Sequence, residues 1–186
     1  SRAIRIYERA YGTREHVDIA EVLHSEGLVH KKSGDYTKAL ALFNEARGII
    51  ERARGLRAVK LADVLMSIGD VERKRDEYAA AAATYERALG IVADALGARH
   101  VDCADYHNAL GVCAKKQARY AAALEQYATA LSIIAEAHGD KHVKYGLYLA
   151  NQADVLRKRG GSGNLRRAAA TYEKAYGVVA AALGGD

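Results

Sequence analysis

The chain has 186 residues, 50% of them hydrophobic and 27% charged, with a formal net charge of +5 at pH 7 and a mean hydropathy of −0.21. That is apolar enough to bury a core, which argues against disorder. The absence of Pro and Trp, beside abundant Ala, Leu, Arg, Lys and Glu, argues against β-rich, collagen-like and Pro-linker classes. No apolar run approaches the roughly 20 residues of a membrane span, no signal-peptide pattern opens the chain, and two cysteines do not make a secreted disulfide scaffold; a reducing, cytoplasmic setting is expected.

Residues 2–11 read as one helix, and Ser1 opening in mid-helix reads as a cut from a longer chain. From residue 16 a pattern recurs at a constant interval: His16-Val17-Asp18-Ile19-Ala20, Ala58-Val59-Lys60-Leu61-Ala62, His100-Val101-Asp102-Cys103-Ala104 and His142-Val143-Lys144-Tyr145-Gly146. The expected organisation is a partial repeat over 1–15, full repeats over 16–57, 58–99 and 100–141, and a fourth over 142–186 with three extra residues. Each repeat reads as a helical hairpin. Helix A spans approximately 16–32, 58–74, 100–116 and 142–158, and helix B approximately 36–54, 78–96, 120–138 and 165–183, with 2–11 a lone helix B.

Small residues keep phase at Gly27, Gly69, Gly111 and Ala153, at Ala39, Ala81, Ala123 and Ala168, and at Ala46, Ala88, Ala130 and Ala175, which marks close helix crossings. Tyr36, Tyr78 and Tyr120 hold one aromatic phase and Phe43, Tyr85, Tyr127 and Tyr172 another; all seven are expected as core knobs. Gly12, Gly55, Gly97, Gly139 and Gly184 each follow a helical run, where a residue with positive φ ends a helix. The Gly160-Gly161-Ser162-Gly163-Asn164 stretch predicts a flexible loop with Asn164 capping the last helix. A phosphate loop is the competing reading, but it should follow a strand and carry Lys-Ser/Thr.

The order Gly27, Tyr36, Ala39, Phe43, Ala46, echoed in the next two units, resembles the tetratricopeptide repeat (TPR). That resemblance implies hairpins stacked into a right-handed superhelix with helix A lining the concave face, an all-α solenoid. The usual unit is about 34 residues, shorter than the repeats here, so each helix gains about one 3.6-residue turn. Leu96-Gly97-Ala98-Arg99-His100-Val101-Asp102-Cys103-Ala104 is similar to the Leu-Gly-x-x-His-Pro-x-Val-Ala junction of kinesin light chain repeats, with Val17, Val101 and Val143 where that junction carries Pro, and the fourth unit has Ala153 where the others have Gly.

Helix A ends in paired cations: Lys31-Lys32, Arg73-Lys74, Lys115-Lys116 and Arg157-Lys158. Each pair complements the helix macrodipole. If helix A lines a groove as in TPR proteins, Lys31, Arg73, Lys115 and Arg157 also form a ladder for an acidic or phosphorylated segment. The same resemblance places Glu21, His24, Leu28, Asp63, Met66, Asp70, Asp105, Asn108, Val112, Ala150 and Asp154 in the groove, with Asn108 and Asn151 suited to hydrogen-bond an extended peptide. Where chaperone-binding TPR domains clamp a C-terminal carboxylate with Lys and Asn, this chain has His24, Leu28, Ser67, Asp105 and Ala109, so that mode is not expected.

His100, Cys103 and His107 share a helical face in the manner of zinc ligands, yet Cys103 and His107 fall at packing phases and no fourth ligand is evident; no metal or cofactor is expected. Catalytic motifs are missing, and nucleic-acid binding is disfavoured because the aromatics occupy core phases and charges of both signs are interspersed. The expected function is non-catalytic: an adaptor or scaffold of kinesin light chain-like type that holds a protein or peptide segment, acidic in character, in the concave groove. The alternative is a cytoskeletal or ciliary spacer that self-associates through the ends of the array.

Overall fold

A computed structural model describes residues 2–13, 16–55 and 58–184; the boundaries expected at residues 15, 57 and 186 fall outside them. Among the described residues there are nine α-helices and no strand: α1 (Arg2–Tyr11), α2 (Val17–Ser33), α3 (Tyr36–Arg54), α4 (Val59–Lys74), α5 (Tyr78–Leu96), α6 (Asp102–Lys116), α7 (Tyr120–His138), α8 (Val143–Arg159) and α9 (Ser162–Ala182). Two compact units divide the chain, Ser1–Ala95 and Leu96–Asp186.

Helix starts are set by side chains that satisfy otherwise orphaned N–H groups. Asp35 accepts from Lys38 N at 3.1 Å to open α3. The junction histidines do the same: His16 Nδ1 accepts from Asp18 N at 3.3 Å, His100 Nδ1 from Asp102 N at 3.3 Å and His142 Nδ1 from Lys144 N at 3.2 Å. Those histidines recur at the repeat spacing because a ring nitrogen there closes the first turn. Gly12, Gly55, Gly97, Gly139 and Gly184 all have positive φ, as expected. The structure adds a second turn phase. Gly34, Asp76, Ala118 and Gly160 stand at the repeat interval and have φ of 84°, 62°, 57° and 68°, where the first helix of each hairpin hands over to the second.

Within unit 1 the small phase is explained by a ring. A Cβ on Gly69 would sit 2.6 Å from Tyr85 Cε1, and one on Gly27 would likewise run into the Phe43 ring; both rings are fully buried. Unit 2 repeats the device. A Cβ on Gly111 would lie 2.6 Å from Tyr127 Cε1, and Tyr127 is enclosed by Ala114, Ala123 and Val155. Where the phase carries Ala153, the matching aromatic Tyr172 is only half-buried. Leu23, Leu61, Leu65, Ile133 and Ile134 complete the interiors of their own units, each at most 2% exposed.

Two expectations need correction. The five-residue loop with an Asn164 cap shrinks to a turn of Gly160 and Gly161: α9 begins at Ser162, and Asn164 Nδ2 donates to Gly160 O at 2.9 Å, so the insertion lengthens the last hairpin's second helix instead. Of the seven aromatics, only Phe43, Tyr85 and Tyr127 are core knobs. Tyr36, Tyr78 and Tyr120 open their helices and, with Tyr172, stay half-buried, since the first residue of a helix overhangs the edge of the hairpin.

Candidate functional site

Neighbouring first helices of the hairpins cross-link at a fixed offset. In unit 1, Lys31 Nζ on α2 reaches Asp70 Oδ2 on α4 at 3.0 Å, 39 residues on, and Lys60 pairs with Glu21 at the same offset. In unit 2, Lys115 Nζ reaches Asp154 Oδ2 at 2.9 Å and Lys144 Nζ reaches Asp105 Oδ2 at 2.7 Å, again 39 residues apart. An offset of 43 supplies the polar contacts between them: His24 Nε2 and Ser67 Oγ share a hydrogen bond of 2.8 Å, Asn151 Nδ2 donates to Asn108 Oδ1 at 2.9 Å, and Tyr148 OH donates to Asp105.

These offsets reveal an alternation with a period of two hairpins. One phase reads Asp18, Lys60, Asp102, Lys144, and another Leu28, Asp70, Val112, Asp154, so the ion pairs inside unit 1 recur inside unit 2 with their partners two repeats further along.

The four expected ladder cations are thereby placed. Asp70 accepts from Lys31, from Tyr85 OH at 2.9 Å and from Arg73 Nη2 at 3.3 Å, while Arg73 Nε donates to Tyr85 OH at 3.3 Å. Burial pushes the Asp70 carboxyl up, but Lys31, Tyr85 and Arg73 together outweigh it and hold it below the usual carboxylate range; burial and the neighbouring Asp70 push the Tyr85 phenol far up. Asp154 repeats the arrangement with Lys115 at 2.9 Å and Arg157 Nη2 at 2.6 Å, and its pKa is lowered although burial opposes the shift. Each unit thus carries a Lys–Asp–Arg clamp. Sequence reasoning put Asp70 and Asp154 in the groove without seeing that they hold the ladder; the available signal was an aspartate 39 residues after a lysine and three before an arginine.

The second cations of each pair behave differently. Lys32, Lys74 and Lys158 are exposed. In unit 1 a recess of about 490 Å³ is lined by Leu28, Lys31, Lys32, Tyr36, Asp70, Arg73 and Lys74, four cations around one carboxylate. His24 lies nearer the other end of α2, its ring 5.4 Å from that of Phe43, in a second recess with Glu21, Ser25, Lys60 and Asp63; burial pushes its pKa below the usual range despite Asp63. Met66 is half-buried on α4, and the Asn108–Asn151 pair on α6 and α8, joined by the single bond from Asn151 Nδ2 to Asn108 Oδ1, is half-buried.

The zinc-like trio is used separately. His100 Nδ1 accepts from Asp102 N just ahead of α6, the Cys103 thiol is buried and donates to Gly97 O at 3.6 Å, and His107 Nδ1 is 2.7 Å from Gln126 Oε1. Among the described residues no three metal-ligating side chains gather around a site, and no helix is long and apolar enough to cross a membrane.

Antiparallel helix pairs repeated at a fixed interval and cross-linked at a constant offset define an all-α hairpin-repeat protein of solenoid type. The chain belongs to the tetratricopeptide repeat family, whose profile matches residues 18–94 and 60–133. Its fold is shared with BtubC (BKLC) from P. vanneervenii (TM-score 0.81, 18% identity, 99% of this chain and 76% of that one) and with a kinesin-light-chain-type protein of nearly identical TPR-like repeats from Podosopora anserina (0.76, 14%, 97% and 83%). The apo form of RapI is also similar (0.81, 20%, 98% and 64%). No curated protein sequence matches the chain. TPR repeats generally serve as non-catalytic scaffolds that bind protein or peptide partners.

Proposed function

We propose that this chain is a non-catalytic adaptor of kinesin-light-chain-like type that binds an acidic or phosphorylated partner segment along the ends of its first-of-pair helices. The observation that carries the reading is the unit 1 recess, where Lys31, Lys32, Arg73 and Lys74 surround a single carboxylate. The clamp fixes Lys31 and Arg73 at low entropic cost, and exposed Lys32 and Lys74 supply the charge that an incoming carboxylate or phosphate meets. Tyr36 and Leu28 add apolar wall beside it.

The division of labour selects the variant. Reversing Lys31 or Arg73 sets a carboxylate against Asp70 and damages the fold, whereas Lys32→Glu with Lys74→Glu removes only exposed charge. Fluorescence anisotropy with a labelled Glu-rich peptide and its phosphoserine counterpart is expected to show saturable binding that weakens by roughly tenfold or more in the double variant and falls with added salt. Equal affinity for both proteins defeats the reading.

A second reading, assembly through exposed helix faces, is favoured by Leu165, Tyr176 and Leu183, which are 49%, 77% and 75% exposed on or just after α9. Sedimentation of Tyr176→Asp beside the native chain separates the two readings.

A further inference from the structure

The chain owes its net positive charge to one end of unit 2. Lys115 at the end of α6 and Arg157 at the end of α8 share Asp154, and α7 and α9 begin within four residues of those helix ends, so both hairpin turns lie on one side of the unit. Residues 113–124 and 154–167, which make these turns, hold eight Lys and Arg against Asp154 alone, a net +7 in a chain whose total is +5, so the remaining residues sum to −2. The matching stretches of unit 1, residues 29–40 and 70–80, hold six cations against five acids.

Helix architecture does not ask for this excess. Cations in the last turn of α6 and α8 complement the macrodipole, and unit 1 has them too. Arg119 does the opposite. It stands at the N-cap of α7 and makes no side-chain capping bond, at the phase where Asp35 caps α3 and Glu77 precedes α5, so a cation faces the positive end of a helix. Where unit 1 has Glu72 and Asp76, unit 2 has Ala114 and Ala118, and the opening turns of α9 carry Arg166 and Arg167 where α7 has Ala121 and Ala122. Arg119, Lys158, Arg159, Arg166 and Arg167 are exposed, and among the described residues none of the five has a carboxylate partner. Cations set against local preference and left unpaired mark a surface kept for a ligand.

We propose that this end of unit 2 binds the phosphate backbone of a nucleic-acid duplex without reading its sequence. The interspersed charges that disfavour nucleic acid for the chain as a whole are segregated here. Four of the five unpaired cations are arginines, whose planar guanidinium meets phosphate oxygens through two parallel N–H bonds. Helix ends packed about 8–10 Å apart spread them over roughly 20 Å, the length of about six phosphates of one strand. The two stretches contain one aromatic, Tyr120, and it is half-buried, so the bases of a single strand find no stacking platform. A duplex offers backbone charge alone, about one per 1.7 Å, denser than a run of glutamates at about 3.3 Å per residue. This surface belongs to unit 2 and stands independently of the reading given to the unit 1 recess.

The test uses the full 186-residue chain and short labelled duplexes of mixed sequence, one of DNA and one of RNA, with their separated strands as reference. Anisotropy titration is expected to show saturable binding of duplex, tighter than of either strand, with log K falling against log salt at a slope of roughly −4 to −5 for five phosphate contacts. Tighter binding of one duplex identifies which nucleic acid supplies the phosphates. Arg119→Glu, Arg166→Ala and Arg167→Ala are the residues of the matching positions Glu77, Ala121 and Ala122, so the triple variant should keep its circular dichroism spectrum and urea midpoint. It should bind duplex at least roughly tenfold more weakly and flatten the slope by roughly 3. Lys32→Glu with Lys74→Glu in unit 1 should leave duplex affinity within about twofold. Absence of saturable duplex binding, strands that bind as tightly as the duplex, a triple variant that binds like the native chain, or a unit 1 variant that loses as much as the triple variant overturns the proposal. Polyglutamate or phosphatidylserine vesicles that bind the native chain as tightly as duplex and release the triple variant also overturn it, by giving these cations to an acidic protein or a membrane.

Discussion

Replacing Gly111 by alanine tests whether the hairpins are held together by rings lying on glycines. The added methyl would stand 2.6 Å from Tyr127 Cε1, 2.8 Å from Cδ1 and 3.0 Å from Cζ. The ring cannot swing clear, since Tyr127 is fully buried and boxed in by Ala114, Ala123 and Val155. Overpacking costs about 1–3 kcal/mol, and three ring atoms within 3.0 Å of the added methyl put this case at about 2–3 kcal/mol; the better helix propensity of alanine returns about 1 kcal/mol, leaving a net loss of about 1–2 kcal/mol. For a chain of this size that corresponds to a fall in Tm of roughly 2–8 °C. Urea unfolding followed by circular dichroism, with the slope m unchanged, measures it. Gly69→Ala, with the same 2.6 Å approach to Tyr85, should behave alike. Placing Gly111→Ala in a Tyr127→Leu background should shrink its cost, because the ring that meets the methyl is gone. A Gly111→Ala chain as stable as the native one, or an equal cost in both backgrounds, refutes the seating of ring on glycine.

Other outcomes follow from the same structure. Ala118 holds φ of 57°, which costs an L-residue about 1–2 kcal/mol against about 0.4–1 kcal/mol of unfolded-state entropy for glycine; Ala118→Gly should therefore gain about 0.5–1 kcal/mol in urea unfolding. Asp70→Asn should cost about 1–3 kcal/mol by removing the negative charge that Lys31 and Arg73 face and one of the two oxygens that accept from Lys31, Arg73 and Tyr85. The carboxyls of Asp70 and Asp154 are held below their usual range, so their stabilisation is full above the unfolded value of about 4 and is lost as pH falls through the lower native values. Urea midpoints measured from pH 6 downward should fall less in Asp70→Asn than in the native chain. Cys103 and Cys113 are buried and form no disulfide, and burial pushes the Cys103 thiol up; a thiol reagent should label them slowly in the native chain and rapidly in urea.

The hairpins are legible in the sequence because their signals are local. Glycine under aromatic and the constant repeat interval define Tyr36–Arg54, Tyr78–Leu96 and Tyr120–His138 to the residue. The insertion misleads because glycine and asparagine favour turns locally, while the packing of α9 on α8 carries the helix back through Asn164 to Ser162. The clamps are not legible for a different reason. Which aspartate meets Lys31 depends on the offset between successive hairpins, and that offset of 39 or 43 comes from how the helices lean on one another, which no local window contains. The histidines at 16, 100 and 142 show the same gap: their spacing is visible in the sequence, their capping bonds only in three dimensions.

The alternation of ion pairs gives the array a parity. Excising one repeat, residues 58–99, would bring Asp102 to the place of Lys60 opposite Glu21 and Val112 to that of Asp70 opposite Lys31, leaving like charges together and a lysine without its acid. Excising two, residues 58–141, would bring Lys144 and Asp154 to those same places and keep both bridges. At these two contacts the repeats are therefore interchangeable only two apart: the places of Lys60 and Asp70 accept Lys144 and Asp154 but not Asp102 and Val112, although the small and aromatic phases still match.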